Sequence, residues 1–226
     1  MGRRIGRPKA GQEPLTRERI FTAALRLVDQ AGIEGMSMRQ LAADLGVDPM
    51  AIYHHLPGKQ AIIEGLVESV LNELRMPAVA GRPWPEQVRA FARAYRSMAR
   101  AHPNLVFYLV THAEAGAGAA LAANEILYRA LAAAGLAPQM IVRAADLVVD
   151  YLIGFALAES SGRLGQPGER QEMLAQLNQH PSDSYPTMRR VFDRLSEDEI
   201  LADFEAELDI ILAGITAIAG AADGSR

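Results

Sequence analysis

The chain has 226 residues, half of them hydrophobic, 6% aromatic and 22% charged, which supplies ample material for a buried core and excludes disorder along the whole length. The absence of cysteine removes a disulfide framework, a thiol nucleophile and every Cys-ligated zinc or iron–sulfur site together, and it fits a reducing cytoplasm. The net charge of -4 argues against an indiscriminate nucleic-acid binder, but residues 1–60 carry nine Lys/Arg against six Asp/Glu, and residues 61–226 carry fourteen against twenty-one, so a mildly basic head sits on an acidic body.

Residues 1–14 are rich in Arg, Gly and Pro with too few apolar residues to pack, and read as a basic, flexible arm whose Arg3, Arg4, Arg7 and Lys9 suit a minor groove. No apolar stretch follows Met1, and the longest charge-free run near the end, Ile210 to Ala222, has only 13 residues; neither secretion nor a membrane span is expected. Thr16 suits an N-cap, and Ile20, Ala24, Leu27, Val28 and Ala31 then recur at helical spacing up to Gly32. Ser37 with Gln40 is a capping-box pair that opens a short second helix ending at Gly46. Asp48 caps a third helix with Pro49 in its first position, running to about Leu56 before Pro57-Gly58. A fourth amphipathic helix is expected from Lys59 to Met76, followed by a Gly/Pro linker. Further helices are expected near 86–101, 104–116, 119–134, 138–161, 170–179 and 197–221, with a Pro/Gly-rich region at 162–186. The fold class is therefore all-α: an arm at 1–14, a three-helix reader with its linking helix at 15–76, and a larger helical domain at 84–222.

The most specific stretch runs from Leu41 to Ile52. Two short helices crossing steeply need a small residue at the contact, a residue tolerant of positive φ in the turn and an apolar plug on the second helix; Ala42, Gly46 and Ile52 meet these needs. At 100° per residue, Pro49, Met50, Tyr53 and His54 share one side of the third helix, and Ala51, Ile52, His55 and Leu56 the other. The first side is the candidate DNA face of a helix-turn-helix, with Tyr53 and His54 suited to phosphate or base edges and Met50 to a thymine methyl. Arg39 is the candidate for a guanine contact, because its fork matches O6 and N7. Ser37 and Lys59 are placed to hold flanking phosphates.

From Thr16 to about Leu71 the residues Ile20-Phe21-Thr22-Ala23-Ala24-Leu25, Gly32 to Ala42, Leu45-Gly46-Val47, Ile52-Tyr53-His54-His55-Leu56 and Lys59 resemble the tetracycline-repressor (TetR) family of bacterial transcription regulators. The resemblance implies a homodimer whose two third helices enter successive major grooves of a palindromic operator, and a larger domain that binds a small inducer. It points to Ser37, Arg39, Met50, Tyr53, His54, His55 and Lys59 as DNA-contact positions. Trp84, His102-Pro103, Leu131 to Gly135, Gly154-Phe155, Phe204-Glu205 and Leu208-Asp209 extend the likeness to the C-terminal domain. The residues that chelate a drug–magnesium complex in the founding repressor do not fall into register, and Arg75 stands near where a drug-binding His is expected, so tetracycline itself is not the expected ligand.

A pocket for a small, mostly apolar effector needs an apolar wall with a few converging polar groups. Tyr95, Met98, His102, Phe107, Tyr108, Thr111, His112, Asn124, Tyr128 and Tyr151 are the candidates, with His112 and Asp150 for a polar ligand group. The helices containing Val148, Leu152 and Phe155 and containing Phe204, Leu208, Ile211 and Ile215 have more apolar surface than one small bundle hides, and are expected to pair across a twofold axis. Linkage through the fourth helix would alter the reader spacing, which must match one DNA turn, roughly 34–36 Å. No cofactor, metal or catalytic residue is expected. A dinucleotide-binding enzyme is the weaker alternative, since Gly116-Ala117-Gly118 has Leu121 where a third glycine belongs. An architectural or protein-interaction helix-turn-helix protein without an effector is the other.

Overall fold

The computed structural model describes residues 14–74, 81–112, 117–162, 164, 168–196 and 203–223. The arm apart from Pro14, together with Arg75 and the start of the linker, lies outside them. Every regular element among the described residues is a helix, and the chain divides into two compact units, residues 1–75 with 102–123 and residues 76–101 with 124–226.

The first unit holds α1 (Arg17–Gly35), α2 (Met38–Leu45), α3 (Pro49–Tyr53), α4 (Lys59–Glu73) and α6 (Pro103–Thr111). Local chemistry sets each boundary. Thr16 accepts from the Arg19 amide, Ser37 from the Gln40 amide and Asp48 from the Met50 amide, so three helix starts satisfy an otherwise unpaired N–H. Gly32 takes φ 72 and ψ 171 and kinks the end of α1. Gly46 takes φ 67 and ψ 32, a left-handed conformation that a side chain would disfavour, and its amide and that of Val47 close α2 on the carbonyls of Ala42 and Ala43. The third helix is shorter than its apolar spacing suggests: its regular part ends at Tyr53, and the chain turns through His54 and His55 before Gly58 opens α4.

The core of this unit is Ile20, Ala24, Val28, Leu41, Ile52, Ile62, Leu66, Val67 and Val70, with Leu105 and Val106 of α6. Helix α1 packs against α2, α4 and α6. At Gly65 a Cβ would stand 2.2 Å from Phe21 Cζ, so the missing side chain is what lets the Phe21 ring lie on α4.

The second unit holds α5 (Trp84–Ala101), α8 (Pro138–Ser160), α9 (Glu169–Asn178), α10 (Pro186–Arg194) and α11 (Phe204–Asp223), and α7 (Ala117–Ala132) passes from the first unit into it between residues 123 and 124. Its core is assembled from distant segments: Val88, Phe91, Leu127, Leu131, Val148, Leu152, Phe155, Phe204, Leu208, Leu212 and Ile215. Phe155 meets Phe204 edge-on at 5.0 Å, and Tyr151 stacks on Phe204 at 5.7 Å. Helix α10 was not expected from the sequence. It buries no residue and is tied to α9 through Arg189, which donates to the carbonyls of Leu177, His180, Pro181 and Ser184 and to Asn178 Oδ1.

Candidate nucleic-acid interface and effector region

Helix α3 and the turn that follows it present one buried and one water-facing side. Ile52 and Leu56 are buried, whereas Met50 and Tyr53 are 61% and 45% exposed and His54 is exposed beside them. Two large apolar or aromatic side chains held in water on a helix this short have no packing role within the unit. His55 is half-buried, and its carbonyl accepts from Arg17 Nε at 3.3 Å, which ties the end of the reading helix to the first turn of α1. Ser37 and Arg39 are exposed at the start of α2, with the Ser37 hydroxyl spent on the Gln40 amide and side chain. Lys59 occupies the first turn of α4 directly after Gly58. The base-reading and phosphate-holding candidates thus lie on the starts of α2 and α4 and the outer face of α3, all within one compact unit. Ile52 is buried beneath them, and Ser37 and Asp48 cap the starts of α2 and α3.

The effector candidates divide between the units. His102, Phe107, Tyr108, Thr111 and His112 belong with the reading helices, and Tyr95, Met98, Asn124, Tyr128 and Tyr151 with the second unit. His102 Nδ1 lies 3.1 Å from both carboxylate oxygens of Asp29, so this ring is engaged by α1. The neighbouring Asn104 amide donates to the carbonyls of Val28 (2.8 Å) and Asp29 (3.2 Å), capping α1 just before its kink. Nothing in the local sequence signalled this joint, because Asn104 and Val28 are 76 positions apart. Tyr108 stacks on His112 with centroids 4.0 Å apart, while Phe107 is exposed and Thr111 bonds the carbonyls of Phe107 and Tyr108.

In the second unit Tyr95 is largely enclosed, and burial pushes its hydroxyl up to about 12. Met98 is buried, Tyr128 half-buried and Asn124 exposed. Tyr151 donates to the Phe204 carbonyl at 2.8 Å, and burial followed by the nearby Glu207 carboxylate raises its pKa, so its hydroxyl stays protonated and joins α8 to α11.

The residues expected to meet a second copy need relocation. Val148, Leu152, Phe155, Phe204, Leu208 and Ile215 are buried in the core of their own chain, because α8 and α11 turn their larger side chains toward α5 and α7; Ile211 is half-buried. The apolar surface these helices leave in water is different: Val142 and Leu147 on α8, and Ile210 and Ile218 with the small residues Ala213, Gly214 and Ala217 on α11. Ile210 is 74% exposed.

Fold and site together define a helix-turn-helix DNA-reading unit linked to a second, entirely helical unit. Comparison with known proteins makes this specific. Residues 20–66 match the family model for bacterial regulatory proteins of the tetR family, and residues 76–219 that for the tetracyclin repressor-like C-terminal domain. The chain is 32% identical to an HTH-type transcriptional regulator of Saccharopolyspora erythraea over 91% of its own length and 86% of that protein's. It is 30% identical to the HTH-type transcriptional repressor DrrR1 of Streptomyces coeruleorubidus, covering 88% of this chain and 76% of that one. Among solved structures, apo ActR from Streptomyces coelicolor superposes with a TM-score of 0.74 at 28% identity, over 93% of this chain and 99% of that one, and ActR in complex with actinorhodin gives 0.72. The chain belongs to the TetR family of bacterial transcription regulators, a family of regulators rather than enzymes. Among the described residues no helix is long and apolar enough to cross a membrane.

Proposed function

We propose that this regulator is a cytoplasmic homodimeric repressor: residues 15–76 read a palindromic operator, residues 84–222 bind a small, mostly apolar effector and dimerise, and the effector releases the DNA. The observation that carries the reading is the division of α3 and the turn after it into a buried Ile52–Leu56 side and a water-facing Met50–Tyr53–His54 side. Arg39 supplies the guanine contact, Met50 a thymine-methyl contact, and Ser37, Tyr53, His54, His55 and Lys59 the backbone contacts. Dimerisation uses the exposed stripe of α11 around Ile210, Gly214 and Ile218 with Leu147 of α8, where small residues let two helices approach closely.

The structure of ActR with actinorhodin supports an organic effector, as does the enclosed Tyr95–Met98 face. The coupling route runs through α6 rather than through α4 alone. Helix α6 packs on α1, and the chain passes from α5 into α6 at the unit boundary between residues 101 and 102. An effector that binds the two reader spacings unequally shifts their populations, and Asn104 and His102 make α1 follow α6.

Selection of bound duplexes from a random pool at near-physiological salt tests the reading. The expected product is a palindromic consensus whose half-sites lie about one helical turn apart; a pool with no enriched sequence, or with a single unrepeated half-site, contradicts it.

A further inference from the structure

Arg89, Arg93, Arg96 and Arg100 recur on α5 at intervals of four, three and four residues, which places them in one stripe. The first three are paired: Arg89 with Asp209, Arg93 with Glu205 at 2.7 and 2.9 Å, and Arg96 with Glu159 at 2.7 and 3.3 Å. Arg100 is exposed and has no hydrogen bond or ion pair among the described residues. A depression of about 260 Å³ opens between this end of α5 and the first turn of α11, lined by Arg93, Arg96, Ser97, Arg100, Phe204 and Glu205.

We propose that this depression binds a small organic monocarboxylate, with Arg100 as the main anchor and Ser97 as a second donor. The proposal is independent of the reading of α3.

Three features of the site support it. The first is the balance of donors and acceptors. Both oxygens of Glu159 and both of Glu205 are already engaged, while Arg93 and Arg96 each spend two of their five N–H groups on them, so the groups left facing the depression are mainly donors. The second is geometry. The planar guanidinium fork matches the two oxygens of a carboxylate, and of the three arginines that line the depression Arg100 alone has no hydrogen-bonded carboxylate among the described residues. The third is preorganisation. The Arg96 guanidinium lies 5.0 Å from the Phe155 ring centroid and 4.8 Å from that of Phe204, so its plane is fixed from both the aromatic and the carboxylate side before a ligand arrives. The volume lies below the usual range for drug-sized pockets, which selects a small acid over a polycyclic one.

The test is a titration of the full chain with benzoate, and separately with neutral benzamide, at constant ionic strength, following the arginine Nε–H signals by NMR. The expected result is a saturable shift of the Arg93, Arg96 and Arg100 signals with benzoate and little with benzamide, weakened at least fivefold in Arg100→Gln. Since Arg100 forms no hydrogen bond or ion pair among the described residues and acts on Glu159 through its charge alone, that variant should melt close to the parent; Arg93→Lys, which keeps the charge, should still bind. No saturable shift, an equal response to benzamide, or Arg100→Gln titrating like the parent would each overturn the proposal.

Discussion

The two compact units solve the same problem, holding short helices in place, by different means. In the reading unit the starts of α1, α2 and α3 are fixed within three residues, by Thr16, Ser37 and Asp48, and the helix-turn-helix corner by Gly46, while α4 and α6 start without a side-chain cap. In the second unit Asp203 caps α11, but α8, α9 and α10 begin without a side-chain cap, and the long-range ties join partners 53 to 120 positions apart: Tyr151 on Phe204, Arg96 on Glu159, Arg93 on Glu205 and Arg89 on Asp209. Local caps give a rigid surface whose side chains can be aimed at a groove. Long-range pairs tie the second unit together across its helices, and repacking of such contacts is one general way in which a unit responds to a ligand.

The comparison can be broken most severely at Ile52. Replacing this buried plug by alanine should cost about 3 kcal/mol and loosen the reading unit, since large-to-small core changes leave a cavity. Urea unfolding would show it as a lower midpoint for the reading unit, with the second unit unaffected. Gly65→Ala forces the Phe21 ring aside, which offsets the helix propensity gained and should leave a net cost of about 1 kcal/mol; Phe21→Leu in the same chain should recover part of the loss. A finer probe is Ser37→Ala, which removes one cap at a cost of about 1 kcal/mol in thermal unfolding, and also weakens DNA binding if the hydroxyl meets a phosphate.

The smallest effect is expected from the ion pairs. The Arg96 fork holds the Glu159 carboxyl below its ordinary value of 4.5, and the Arg93 fork does the same for Glu205. A depressed carboxylate stabilises the fold above its unfolded pKa and loses that contribution as the pH falls through its folded pKa. Solvent exposure limits each pair to about 0.5 kcal/mol. Glu159→Gln with Glu205→Gln should therefore flatten the acid limb of the stability profile below about pH 4.5 while leaving its alkaline side unchanged in shape.

The same division explains what could be read from the sequence. Caps, the Gly46 turn and the period of α3 are written in neighbouring residues, so the reader and its outward face were legible before any coordinates. The early end of α3 was less so, because apolar spacing through Leu56 continues past the point where the backbone turns at His54 and His55. In the second unit most helix positions were legible from apolar period, but α10, which buries nothing, was not, nor was the side of α8 and α11 that faces inward. Val148 and Leu208 read equally well as surface for a second copy or as core for their own chain, and only the approach of α5 and α7 settles them inward. The commitment of His102 to Asp29 was likewise invisible, since it depends on two helices 73 positions apart. The arginine stripe of α5 was not singled out from the sequence, because its partners lie 63 to 120 positions away.

The account turns on the outer face of α3 and the start of α2 reading bases. Fluorescence anisotropy with the selected operator duplex and a scrambled duplex of equal length tests this most directly, using the parent chain, Arg39→Ala and Tyr53→Ala. The account predicts a loss of about tenfold to a hundredfold on the operator for Arg39→Ala, with binding to the scrambled duplex little changed, and a weaker, less selective loss for Tyr53→Ala. Unchanged operator affinity in both variants, with both remaining folded, would contradict it.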